Sequence, residues 1–264
     1  MLTSLLRYAK RWVSPTVALN SQYPPCVPEW CDAMAECQSA IWWKVKPYTM
    51  TSVERVVTLC QSIAYLERRD IPGAIVECGV WKGGSMLAAA LALESLGATD
   101  RELFLFDTFA GMTEPADLDV DWQGRSAREL LRLHSTEGEL YRANASLDEV
   151  KQTLMQSRYP WEKLCFVPGK VEDTLPRHAP GQIALLRLDT DWHGSTRHEL
   201  EHLYPRLADG GILIIDDYGH WQGAKRAVDG YFRDHGIDAD LRTIDFTGRL
   251  LVKTADVRVM ARAA

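Results

Sequence analysis

From residue 51 onward the chain alternates between two hydrophobic patterns. Short, nearly unbroken apolar runs bounded by Gly, Pro or acidic residues read as strands covered on both faces. They fall at 74–80 (AIVECGV), 103–107 (LFLFD), 164–167, 183–189 (IALLRLD) and 211–216 (GILIID). Between them, apolar residues recur at three- and four-residue spacing and predict helices at 52–69, 85–96, 127–134, 146–156, 196–207 and 224–235. Thr51 with Glu54, Ser146 with Glu149 and Thr196 with Glu199 have the spacing of capping boxes at helix starts. Residues 109–127 read as a long polar loop. Two last runs, 241–246 and 249–253, flank Thr247-Gly248 and predict a terminal antiparallel hairpin. Strand–helix alternation closed by a hairpin predicts an α/β fold: a mostly parallel, seven-stranded sheet with helices on both faces and right-handed crossovers.

Residues 1–47 break this rhythm. They hold Pro15, Pro24, Pro25, Pro28 and Pro47 and four tryptophans, Trp12, Trp30, Trp42 and Trp43. The segment reads as a helical and irregular lid or oligomerisation element ahead of a domain spanning 48–264. Its first fifteen residues are mildly amphipathic but lack the apolar stretch and cleavage site of a signal peptide. They suit a helix that packs on the domain or a second subunit, with a membrane surface as the alternative.

Composition narrows the function. The 264 residues suit one large α/β domain. A net charge of -6 without a basic stripe argues against a nucleic-acid partner. No run of eighteen apolar residues exists to span a membrane. The six cysteines (26, 31, 37, 60, 78 and 165) contain no C-x-x-C pair and read as reduced thiols of a cytoplasmic protein.

In open parallel sheets, ligands bind beyond the carboxyl ends of the strands. After the first strand comes a loop with Gly79, Gly83 and Gly84, which permits a tight turn and close backbone approach. Its spacing is not G-x-G-x-x-G, so the dinucleotide fingerprint is absent. Asp107 ends the second strand, where an acid can accept hydrogen bonds from ribose hydroxyls. The fourth strand runs into Asp189 and Asp191, and the fifth into Asp216 and Asp217. Carboxylates crowded onto one rim repel unless compensated, and a divalent cation compensates economically. Asp189, Asp216 and Asp217 are the expected ligands, and hard oxygen donors favour Mg²⁺, Mn²⁺ or Ca²⁺ over zinc. Asp191 reads equally well as a cap. His193 and His220 lie within the two acidic loops and are placed to face substrate. Protease H-E-x-x-H, hydrolase G-x-S-x-G and P-loop patterns are missing.

The segments 48–52 (YTMTS), 76–85 (VECGVWKGGS), 106–112 (FDTFAGM), 188–196 (LDTDWHGST) and 215–224 (IDDYGHWQGA) resemble the macrocin O-methyltransferase family, in order and across roughly 47–253. The resemblance implies a Rossmann-like class I methyltransferase fold using S-adenosyl-L-methionine and Mg²⁺. It implies a glycosylated small-molecule acceptor from secondary metabolism, with a cell-surface or glycolipid sugar as the alternative acceptor, and a homo-oligomeric assembly. A non-catalytic cofactor-binding domain would be expected to lack the acidic set. Carried over by position, Glu77, Gly79, Trp81, Gly83 and Ser85 would hold the methionine part of the cofactor, and Thr49 and Met50 would cover it. Asp107, with Thr108 and Phe109, would take the ribose side. Asp189 would serve as base as well as ligand, with Asp191 and His193 as further catalytic candidates. His193 and Gly194 stand where the family usually carries Tyr and Glu, so the acceptor-facing loop departs from the pattern.

Overall fold

The computed structural model describes residues 35–254. Its chain order is α1 (Ala35–Val45), α2 (Val53–Arg68), β1 (Ala74–Cys78), α3 (Gly84–Ser95), β2 (Leu103–Asp107), α4 (Ala127–Leu131), α5 (Thr136–Arg142), α6 (Leu147–Leu154) and β3 (Leu164–Pro168). There follow α7 (Val171–Thr174), β4 (Ile183–Leu188), α8 (His193–Leu203), β5 (Leu207–Ile215), α9 (Gln222–Asp234), β6 (Arg242–Thr243) and β7 (Arg249–Val252). One seven-stranded sheet has the order β3-β2-β1-β4-β5-β7-β6. The five leading strands pair in parallel, and β7 runs antiparallel to β5 and β6. Strand order reverses between β1 and β4, the place where such sheets open a crevice.

Alternation along each strand divides the core in two. Ile75, Ile212 and Ile214 pack on one side with Leu59 and Ile63 of α2, Leu87 and Leu93 of α3 and Leu154 of α6. Val76, Leu186 and Leu213 pack on the other side with Leu200 and Leu203 of α8 and Val228, Tyr231 and Phe232 of α9. β1 and β4 are buried along their whole length, which is why they read as apolar runs broken only by Glu77 and Arg187. Ile41 and Val45 of α1 enter the first core beside Leu59 and Leu87. The last part of the N-terminal segment thus packs on the core of the domain, and residues 1–34 lie outside the described residues. Among the described residues no helix is long and apolar enough to cross a membrane, and Cys78 and Cys165 are free thiols.

Several boundaries moved for identifiable reasons. Ser146 and Glu149 do form the expected capping box. Thr196 and Glu199 do not: α8 starts three residues earlier, and Thr196 lies inside it. The amide of His193 is satisfied at 2.8 Å by Asp119 Oδ1 from the distant 109–127 loop, a partner no local rule reveals. β5 begins at Leu207 rather than 211, because Leu207 pairs with Ile183 ahead of the Gly210-Gly211 interruption. The terminal hairpin is shorter on its first arm. Asp245 Oδ1 accepts from the amides of Thr247 and Gly248 and so widens the turn. α5 had no sequence expectation at all.

Candidate active site

Four strand ends build one cavity of about 320 Å³. At the end of β1, Gly79 has φ +84°, and a Cβ there would sit 1.9 Å from the carbonyl oxygen of Asp189. Only glycine lets the ends of β1 and β4 come that close. The amides of Val80 and Trp81 donate to Asp107 Oδ2 at 2.6 and 3.0 Å, and Phe109 N donates to Oδ1 at 2.7 Å. Asp107 thus ties the glycine turn to the end of β2 while its carboxylate lines the cavity. Gly84 performs a similar service for the chain before α2: a Cβ there would meet the Tyr48 carbonyl at 2.5 Å. This contact seats Thr49, Met50 and Thr51 on the cavity wall.

The centre of the site is an arginine-held cluster of acids. Arg187, the fifth residue of β4, is only 4% exposed and touches four partners. Its Nη1 donates to Glu77 Oε1 and, at 2.7 Å, to Asp189 Oδ2; its Nη2 donates to Asp216 Oδ1 and, at 2.9 Å, to Thr51 Oγ1. Arg55 of α2 donates to Asp216 Oδ2 and pairs with Asp245 at 3.0 Å. Burial alone would push Asp216 up, but the two guanidiniums outweigh it and hold its carboxyl below the usual range.

The neighbouring acids are less fully compensated. Burial first, then the charges of Asp216 and Asp217, raise Asp189 well above its ordinary value against the pull of Arg187. Burial and Asp189 raise Asp191 to about 7, although its bond to Asp217 opposes this. Burial and Asp191 raise Asp217. One oxygen each of Asp189, Asp191 and Asp217 lies within 4.8 Å of the others. These are three hard oxygen donors with more negative charge than the local arginines neutralise, which suits a cation of the Mg²⁺, Mn²⁺ or Ca²⁺ type.

Measured against the sequence expectations, Thr49, Met50, Gly79, Trp81, Ser85, Asp107, Asp189, Asp191, Asp216 and Asp217 all line the cavity. Five residues do not line it. Glu77 is buried beneath it as the partner of Arg187. Gly83 packs under Val150 and Leu154 as the left-handed cap of α3. Phe109 packs against the first core. Thr108 lines a smaller cavity, about 60 Å³, beside the main one. His193 stands at the first turn of α8 with its amide held by Asp119, and it does not line the main cavity. Of the expected cation set, Asp189 and Asp217 converge, and Asp191 joins them. Asp216 is engaged by Arg55 and Arg187. Arg55, Arg187, Glu137, Leu140, Tyr141, Trp221 and Thr247 also line the cavity and had not been singled out. His220 does line it, as its position in the acidic loop suggested, and burial lowers its pKa to about 4.

A parallel sheet ending in an antiparallel strand, with a glycine turn and a β2 acid opening onto a carboxylate cluster, defines a class I, S-adenosylmethionine-dependent O-methyltransferase. The chain belongs to the macrocin-O-methyltransferase (TylF) family, whose model matches residues 29–253. It is 34% identical over 206 residues to 8-demethyl-8-(2,3-dimethoxy-alpha-L-rhamnosyl)-tetracenomycin-C 4'-O-methyltransferase of Streptomyces olivaceus, covering 78% of this chain and 76% of that one. It is 31% identical over 201 residues to mycinamicin III 3''-O-methyltransferase of Micromonospora griseorubida, covering 76% of each. Among solved structures it resembles the O-methyltransferase NovP with a TM-score of 0.69 and 29% identity, over 79% of this chain and 83% of that one.

Proposed function

We infer that this enzyme transfers the methyl group of S-adenosylmethionine to a sugar hydroxyl on a glycosylated small molecule, with a divalent cation of the Mg²⁺ class at Asp189, Asp191 and Asp217. The observation that carries this reading is the convergence of those three carboxylates within 4.8 Å on the wall of the main cavity. The named reactions of the Streptomyces and Micromonospora relatives, a methylated rhamnosyl derivative and a 3''-position, support a sugar acceptor.

The chemistry needs help because a sugar hydroxyl ionises far above neutral pH. A bound cation supplies Lewis acidity that lowers that value. The chain supplies the rest. Asp189 Oδ2 is fixed by Arg187, which orients the carboxylate toward the cavity and lets it accept the hydroxyl proton. The hydroxyl oxygen bonds to the methyl carbon, the carbon–sulfur bond breaks, and S-adenosylhomocysteine leaves with the electron pair. Asp107 and the Val80–Trp81 turn hold the cofactor side, and orientation supplies on the order of several kcal/mol of the barrier reduction. Tyr141, His220 and Trp221 face the acceptor side.

The test is a methyl-transfer screen with labelled cofactor over free and aglycone-linked sugars. Transfer should stop in EDTA and return with Mg²⁺. Full activity in metal-free buffer would remove the cation from the scheme, and transfer to phenols alone would remove the sugar.

A further inference from the structure

We propose that Glu199 is the positioning residue for the acidic loop after β4, acting through Thr190 to fix Asp189 and Asp191 at their separation from Asp217. The proposal rests on the cation-assisted reading above. Glu199 is fully buried on α8, one turn after Ser195, so both side chains share the helix face that meets the loop. Thr190 Oγ1 donates to Glu199 Oε1 at 2.9 Å and stands 2.8 Å from Ser195 Oγ. Thr190 is the residue between the two acids, so this contact anchors the segment that carries them.

That segment needs an anchor. Asp191 has φ +67°, a left-handed conformation unfavourable for a residue with a side chain. Its amide donates to Asp217 Oδ2 at 3.2 Å, and Trp192 N folds back onto the Thr190 carbonyl at 2.8 Å. A strained turn persists only where its surroundings over-determine it. From α8, the side chains of Glu199 and Ser195 are what hold Thr190.

Glu199 is an unusual choice for that task. It is buried, its Oε2 meets no hydrogen-bond partner, and it lies near an already acidic centre. Burial pushes its carboxyl well above the usual range, and Glu172, Asp217 and Asp189 push it further. A neutral carboxyl adds hydrogen-bond geometry without adding charge to the cluster. Glutamine can reproduce that geometry, whereas leucine cannot. The methyl-transfer chemistry makes no direct use of Glu199, which lines neither the main cavity nor the smaller one.

The experiment measures Mn²⁺ binding by electron paramagnetic resonance and S-adenosylhomocysteine binding by calorimetry. It uses the full chain and the variants Glu199→Gln, Glu199→Leu, Thr190→Val and the Leu/Val double variant. Loss of a group that orients metal ligands weakens metal binding on the order of 10- to 100-fold. Glu199→Leu and Thr190→Val should each show a loss of that size, the double variant should lose no more than either single, and Glu199→Gln should stay near the parent. Non-additivity separates one shared contact from two unrelated packing losses. Parent-like Mn²⁺ affinity in a folded Glu199→Leu protein would overturn the proposal. Should that variant fail to fold, Thr190→Val deletes the same hydrogen bond in a side chain of matching shape, and parent-like affinity there overturns it equally. If the parent itself binds no Mn²⁺, the cation reading fails, and S-adenosylhomocysteine then decides. Thr190 and Ser195 line the smaller cavity beside Asp107, so the same pattern of loss and glutamine rescue supports positioning, and unchanged affinity in every variant refutes it.

Discussion

Two adjacent carboxylates on neighbouring loops should answer removal of charge in opposite ways. Asp191 has no arginine at its side chain, and the cluster already carries excess negative charge, so Asp191→Asn should leave the fold intact and cut Mg²⁺ affinity on the order of 10- to 100-fold. Asp216 accepts from both Arg55 and Arg187. Asp216→Asn leaves two buried guanidiniums short of a counter-charge, which costs about 3–5 kcal/mol of stability. Thermal melts and calorimetric Mg²⁺ titrations of both variants check the contrast. A parent-like melt together with lost Mg²⁺ binding in Asp216→Asn would return Asp216 to the ligand set. Asp189→Asn should retain the fold and abolish labelled methyl transfer, since it removes the proton acceptor along with a cluster oxygen. The carboxylates were legible because each one terminates an apolar run. Arg187 was not, because one arginine inside IALLRL carries no sign of its partners. Arg55 lies 161 positions from Asp216, a separation at which periodicity says nothing.

Elements meet at the glycines. Gly79→Ala would combine a left-handed backbone with a Cβ pressed onto the Asp189 carbonyl. The conformation alone costs about 1–2 kcal/mol, and parting the ends of β1 and β4 adds to that. We expect a melting temperature lower by on the order of 5 °C and weaker S-adenosylhomocysteine binding, both measurable on the purified variant. A variant that melts and binds like the parent would show that this close approach is dispensable. At this scale the sequence was most readable where one pattern ruled. β2 matched at both ends, and Ser146–Glu149 capped α6 as its spacing required. It failed where a distant group substituted for a local signal. Asp119 supports the start of α8, so the capping pair proposed within that helix had no end to cap. α5 is seven residues long with one buried position, Gly138, too little for a helical stripe to show. Missing it hid Glu137, Leu140 and Tyr141, a wall of the cavity.

For the molecule as a whole, buried titratable groups give stability opposing slopes against pH. Burial holds His220 at about 4, below its ordinary 6.5, so beneath pH 6.5 the unfolded chain takes up a proton that the folded chain refuses. Stability from this source is present above pH 6.5 and is lost as pH falls toward 4, on the order of 3 kcal/mol in all. Burial lifts Glu77 to about 7 from 4.5, so its contribution is present below pH 4.5 and is lost as pH rises toward 7. Urea melts of parent and His220→Gln at pH 7 and pH 4.5 isolate the histidine share: the gap between the two pH values should narrow in the variant. An unchanged gap would mean that His220 is protonated in the folded protein at acid pH. The fold class and the mostly parallel sheet were legible at this level because strand–helix alternation requires parallel strands joined by crossovers, whereas the order of the strands was read only from the structure, and the cavity wall between β2 and β3 was hidden because α5 is too short to show a stripe. That wall has a consequence for descent. Gly111, Met112, Glu137, Leu140, Tyr141 and Ala143 belong to a single stretch between β2 and β3, whereas the reacting acids sit on strand ends. A lineage could exchange that one stretch by recombination and reshape one side of the cavity while inheriting the acidic strand ends unaltered.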